Sequence, residues 1–127
     1  MKNRLTFISL LCVATSFAQS SDDCKKFHSG TFTYPDSPYK NTTITRTETT
    51  QTEVNKAKNL FFSGTIRWVS DCEYIIVLDK SNAEGAEEML GKPLKSTITK
   101  VTGNRATCIV SNGEHEFSII VEKIDIP

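Results

Sequence analysis

Residues 61–78 read FFSGTIRWVSDCEYIIVL, and this stretch decides the fold. Phe62, Ile66 and Trp68 fall on one parity, with Gly64 among them; Phe61, Thr65, Arg67 and Val69 take the other. That two-residue period is the signature of a strand. Ser70-Asp71 interrupts it, and the chain resumes with Tyr74, Ile76 and Leu78 on one face and Ile75 and Val77 on the other. Two strands joined by so short a break pair as an antiparallel hairpin. Apolar side chains on both faces suit a sheet that is closed or sandwiched.

The flanking chain supplies thinner strands. Gly30–Tyr34 alternates, with Phe32 and Tyr34 on one face, and is stopped by Pro35-Asp36-Ser37-Pro38. Residues 42–54, TTITRTETTQTEV, are nearly all Thr and charge. Their β-branching favours extended chain, as one long strand or two short ones near the sheet edge. Asn55–Asn59 turns into the central hairpin. After it, Ala83–Leu90 allows two helical turns, weakened by Gly85 and ended by Gly91 and Pro93. Leu94–Val101, Ala106–Val110 and His115–Ile124 are further strands, with turns at 102–105 and at Asn112-Gly113. The expected fold is all-β: an antiparallel meander of roughly seven or eight strands, a closed or partly open barrel, with one short helix at 83–90.

The N-terminus reads as a targeting segment. Lys2 and Arg4 precede the short apolar run Leu5–Val13, and Ser16-Phe17-Ala18 places small residues for cleavage after Ala18. Residues 1–18 are therefore expected to be a signal peptide, and 19–127 a single exported β domain, periplasmic or extracellular. Leu10 and Leu11 before Cys12 argue against lipidation there, and no apolar run reaches membrane-spanning length. Removing 18 of the 127 residues takes away Lys2 and Arg4, leaving 13 basic against 15 acidic side chains. Such a surface has no field to attract nucleic acid.

The combination Cys24, Gly30-x-Phe32, Ile44-x-Arg46, Gln51-x-Glu53, Ile66-x-Trp68 and Asp71-Cys72-x-Tyr74 resembles a group of small exported proteins of the Bacteroidota, some labelled DNA topoisomerase IV. The resemblance spans Cys24 to about Leu78 and implies an exported domain with no established activity. The topoisomerase label does not fit an exported chain of this length and charge. Gly30-x-Phe32 and Arg46 also resemble the opening strand and packed arginine of lipocalin-like barrels. Here Phe replaces the usual Trp, and the arginine comes early. That likeness implies fold, not function.

Candidate chemistry is sparse. His28 and His115 stand far apart, and Glu114 and Glu116 point away from His115 in a strand; exposed histidines are expected, and no metal site. Glu84, Glu87 and Glu88 form a solvated acidic face, and Ser111 and Ser118 lack a nucleophile elbow. Cys108 shows no base for a nucleophilic role. Phe32, Arg46, Trp68 and Tyr74 are the residues to line a ligand cavity or fill the core, with Arg46 over Trp68, at the barrel mouth, or as an edge charge. Of the three exported cysteines the preferred disulfide is Cys72–Cys108, closing about 36 residues and leaving Cys24 free; Cys24–Cys72 is the competing pair. The sequence thus supports a non-enzymatic domain, without cofactor, with a binding or structural role in the cell envelope. Its partner would be an envelope protein or a small apolar ligand. The alternatives are a lipocalin-like carrier of such a ligand and a small hydrolase or inhibitor with a loop-borne site.

Overall fold

The central hairpin forms as its pattern dictates. In a computed structural model that describes residues 20–36, 38 and 40–124, β4 (Leu60–Ser70) and β5 (Glu73–Ser81) pair antiparallel across the Asp71-Cys72 turn. Ile66 faces Ile76 and Trp68 faces Tyr74. At Gly64 the register shifts, and β5 passes so close that an added Cβ would lie 2.4 Å from the Val77 carbonyl oxygen. Only a residue without a side chain lets the two strands approach this way.

Six further strands complete the sheet: β1 (Gly30–Thr33), β2 (Thr42–Arg46), β3 (Thr50–Asn55), β6 (Pro93–Thr102), β7 (Arg105–Ser111) and β8 (Glu116–Ile124). Every sequential pair is antiparallel, and β1 pairs with β8, so the meander closes into an eight-stranded barrel. Closure leaves no edge strand. The Thr-rich segment is therefore two fully paired strands, not an edge. Thr47 turns the chain between them by accepting hydrogen bonds from the Thr49 and Thr50 amides. Thr43 and Thr45 face solvent, while Ile44 and Arg46 point inward and are buried.

One end of the barrel is sealed. A short helix, α1 (Ser21–Lys25), precedes β1. It lays Cys24 and Phe27 over the barrel end, both fully buried against Phe32, Ile44, Ile66, Ile98, Ala106 and Val121. Lys26 donates to the Gly103 carbonyl, and Lys123 to that of Lys26, tying the plug to the rim. At the other end, the two helical turns expected over 83–90 shrink to a single 3₁₀ turn, Ala86–Glu88. Gly85 and Gly91, both at positive φ, bound it.

The preferred disulfide is overturned. Cys24 and Cys72 are bonded, with Cα atoms 5.2 Å apart, and Cys108 is a buried free thiol. The Ile98 amide donates to the Cys72 carbonyl while Ile98 pairs with Cys108, so β6 runs between the two cysteines. Two strand spacings come to about 9–10 Å, beyond the ~7 Å that a disulfide bridges. The signal-peptide expectation, Cys12 included, lies outside the described residues. Among those described, no helix is long and apolar enough to cross a membrane.

Candidate binding cavity

The inward faces of the strands change character along the barrel axis. Near α1 they are filled. Toward the opposite end the side chains stand apart around a cavity of about 250 Å³. Its floor is Arg46, Gln51, Tyr74 and Ser96. One wall, from the starts of β2 and β4, β3 and the chain after β1, carries Tyr34, Thr42, Glu53 and Phe62. The other, from β5–β8, carries Ile76, Leu78, Leu94, Val110 and Ile119. Met89, in the β5–β6 connection, and Phe117, at the start of β8, form the mouth. They are 46% and 49% exposed although both are apolar. A second depression of about 260 Å³ shares Thr42, Glu53 and Phe62 and extends toward Lys58.

Arg46 divides the sealed end from the cavity. It is 3% exposed. Its Nε donates to Gln51 Oε1 at 2.8 Å, one terminal nitrogen to the Phe27 carbonyl at 2.7 Å, and the other to the Tyr74 hydroxyl at 3.3 Å. The guanidinium carbon lies 4.7 Å from the Tyr74 ring centre, 5.1 Å from that of Phe32 and 5.8 Å from that of Trp68. Aromatic faces and hydrogen-bond acceptors together offset the cost of burying a cation.

A polar chain climbs the wall from there. Gln51 accepts from Arg46 and donates to Glu53 Oε2 at 3.3 Å; the Tyr34 hydroxyl donates to the other Glu53 oxygen. Burial pushes the Tyr34 phenol well above its usual range, and the Glu53 carboxylate beside it adds to the rise. Burial also raises Tyr74, against the opposing pull of Arg46. The Cys108 thiol, buried behind the floor, is likewise raised by burial, which lowers its thiolate character. Ser96 is 2% exposed. Its hydroxyl lies near enough to Tyr74 and Cys108 to favour their ionised forms, yet no partner meets it in hydrogen-bonding geometry.

The four residues singled out from sequence converge on this guanidinium but divide by role. Arg46 and Tyr74 face the cavity. Phe32 and Trp68 pack on its far side, Phe32 against Phe27 and Trp68 between His28 and Tyr74. Trp68 thus packs at the sealed end, away from the residues that line this cavity, and Arg46 is neither an edge charge nor at the mouth. His28 is not exposed as expected; it stacks on Trp68 at 3.6 Å between centres and its Nε2 lies 2.8 Å from the Asp71 carbonyl. His115, Glu84, Glu87 and Glu88 are exposed, and among the described residues no cluster of three or more His, Cys, Asp or Glu side chains is arranged to hold a metal. Glu53 and Ser96 escaped sequence reasoning as site residues. The available signal for Ser96 was a polar side chain at the parity of Leu94 and Ile98; Glu53, between Gln51 and Asn55 on its parity, gave no such signal.

No family model matches this chain, and neither the curated proteins nor the solved structures contain a match.

Proposed function

We propose that the domain binds a small, largely apolar molecule inside its barrel, as a carrier or receptor outside the cytoplasm and without catalysis of its own. The observation that carries this is the cavity of about 250 Å³ walled by Ile76, Leu78, Leu94, Val110 and Ile119 and open through Met89 and Phe117. A barrel of eight strands has an interior that side chains can just fill. Here they fill one end and leave the other empty. The volume lies just under the roughly 300–1,000 Å³ of sites for drug-sized ligands, so the occupant is smaller than those. The Cys24–Cys72 disulfide supports an oxidising compartment, in keeping with the export read from residues 1–18. The cavity favours the lipocalin-like carrier over a purely structural envelope role.

Titration of the chain with 1-octanol, followed by amide chemical shifts, tests this. Shifts should cluster on Ile76, Leu78, Val110 and Ile119, and Val110→Trp, which fills the space, should abolish them while the protein stays folded by circular dichroism. Shifts scattered over the outer surface, or unchanged by Val110→Trp, would refute the reading.

A further inference from the structure

We infer that the cavity selects a small monocarboxylate, its carboxylate seated on Arg46, Tyr74 and Ser96 and its apolar chain directed toward Met89 and Phe117. This rests on the binding reading above and adds the chemistry of the occupant.

The floor offers hydrogen-bond donors that are incompletely engaged among the described residues. Ser96 is enclosed at the cavity wall, and among the described residues its hydroxyl meets no partner in good hydrogen-bonding geometry, although Tyr74 and Cys108 lie close. Buried hydroxyls are rarely left so. Arg46 carries five N–H donors, of which the Gln51, Phe27 and Tyr74 oxygens engage three. The Tyr74 hydroxyl accepts from Arg46 and keeps its own proton to donate; burial holds that proton on.

Charge decides what kind of acceptor completes the floor. All three oxygens around Arg46 are uncharged, and among the described residues no carboxylate comes within ion-pair distance of it. Buried cations are ordinarily paired with anions. Glu53 is held off by the intervening Gln51, and its own oxygens are answered by Gln51 and Tyr34. A ligand carboxylate supplies one negative charge and two oxygens with several acceptor sites, matching one guanidinium and two hydroxyls. A phosphate dianion would leave a charge unbalanced, and an ammonium on the floor would meet the like charge of Arg46, with the nearest carboxylate, Glu53, already engaged by Gln51 and Tyr34. Above the floor, Ile76, Leu78, Val110 and Ile119 offer nothing polar and suit a hydrocarbon chain. The volume equals that of about eight waters at roughly 30 Å³ each, on the scale of a medium-length acyl chain.

The test is isothermal titration of the full disulfide-bonded chain with octanoate, 1-octanol and octylamine at neutral pH. Octanoate should bind at least about tenfold more tightly than 1-octanol, and octylamine most weakly. Ser96→Ala should weaken octanoate about tenfold, the scale of a hydrogen bond to a charged acceptor, and 1-octanol by no more than about threefold. Octanoate binding no tighter than 1-octanol overturns the inference, as does octanoate affinity unchanged by Ser96→Ala; in both cases 1-octanol still occupies the cavity and the binding reading stands. Tightest binding of octylamine would move the deciding charge to Glu53 and also overturn it. If none of the three binds, the binding reading itself is refuted.

Discussion

The two ends of this barrel are built from the same eight strands and end in opposite states. At the α1 end, Phe27, Phe32, Ile44 and Trp68 meet across the axis, and a helix and disulfide cover them. At the other end Phe62, Ile76, Leu78, Leu94, Val110 and Ile119 stand apart around the cavity, and Met89 and Phe117 are half exposed at its mouth. The difference lies in what caps the sheet. A plug brings its own apolar side chain, Phe27, into the axis; the 3₁₀ turn Ala86–Glu88 brings only Ala86 to a buried position and leaves Met89 half exposed. Stability should therefore reside at one end and binding at the other.

The sharpest check compares truncations at the two ends. Phe32→Ala removes a fully buried ring from the sealed end, where the cavity it leaves cannot relax, and should cost about 3–5 kcal/mol. Val110→Ala, on the wall of an existing cavity, loses little beyond the transfer of its two methyl groups, about 1–1.5 kcal/mol. Chemical denaturation of both variants measures this. Equal losses would mean that the open end is as tightly built as the sealed one.

Next in size is the disulfide. Its 48-residue separation places it at the upper part of the usual range, so Cys24→Ser with Cys72→Ser should cost about 2–4 kcal/mol. The loss should be felt at the sealed end, in the packing of His28 on Trp68, which near-ultraviolet circular dichroism reports. Binding of 1-octanol at the far end should persist under conditions where the variant stays folded. Loss of that binding from a folded variant would show that the two ends are coupled.

The strands were far more legible in the sequence than the plug, the disulfide or the cavity floor. Strict alternation in β4 and β5 fixed which side chains point inward, and the meander followed from short turns. Residues 42–54 were harder, because the turn at Thr47 resets the parity, and one continuous reading mixes inward Arg46 with the exposed Glu48. The disulfide turned on which strand lies between two cysteines, and periodicity says nothing of lateral neighbours. Ser96 was hidden for a different reason. A serine between Lys95 and Thr97 looks like a surface residue; only closure of the barrel beside Tyr74 and Val110 buries it.

That serine supplies the smallest predicted effect and the one that best separates the two ends. In a region built for stability, removing a buried hydroxyl breaks hydrogen bonds and destabilises. Among the described residues Ser96 has none of good geometry to break, so Ser96→Ala relieves the cavity floor of a poorly satisfied group. Leaving such a group buried typically costs about 1–3 kcal/mol. Because Tyr74 and Cys108 lie close enough to interact with the hydroxyl, only part of that is recovered, and the gain should be about 0.5–1 kcal/mol. Thermal and denaturant unfolding of the unliganded protein should both shift upward. A stability–binding trade-off at this position, with tighter folding and weaker carboxylate affinity in the same variant, is what a residue retained for a ligand predicts. A clear loss of stability in Ser96→Ala would instead place the hydroxyl among the groups that hold the barrel together, and would move the floor of the cavity from the binding end to the structural one.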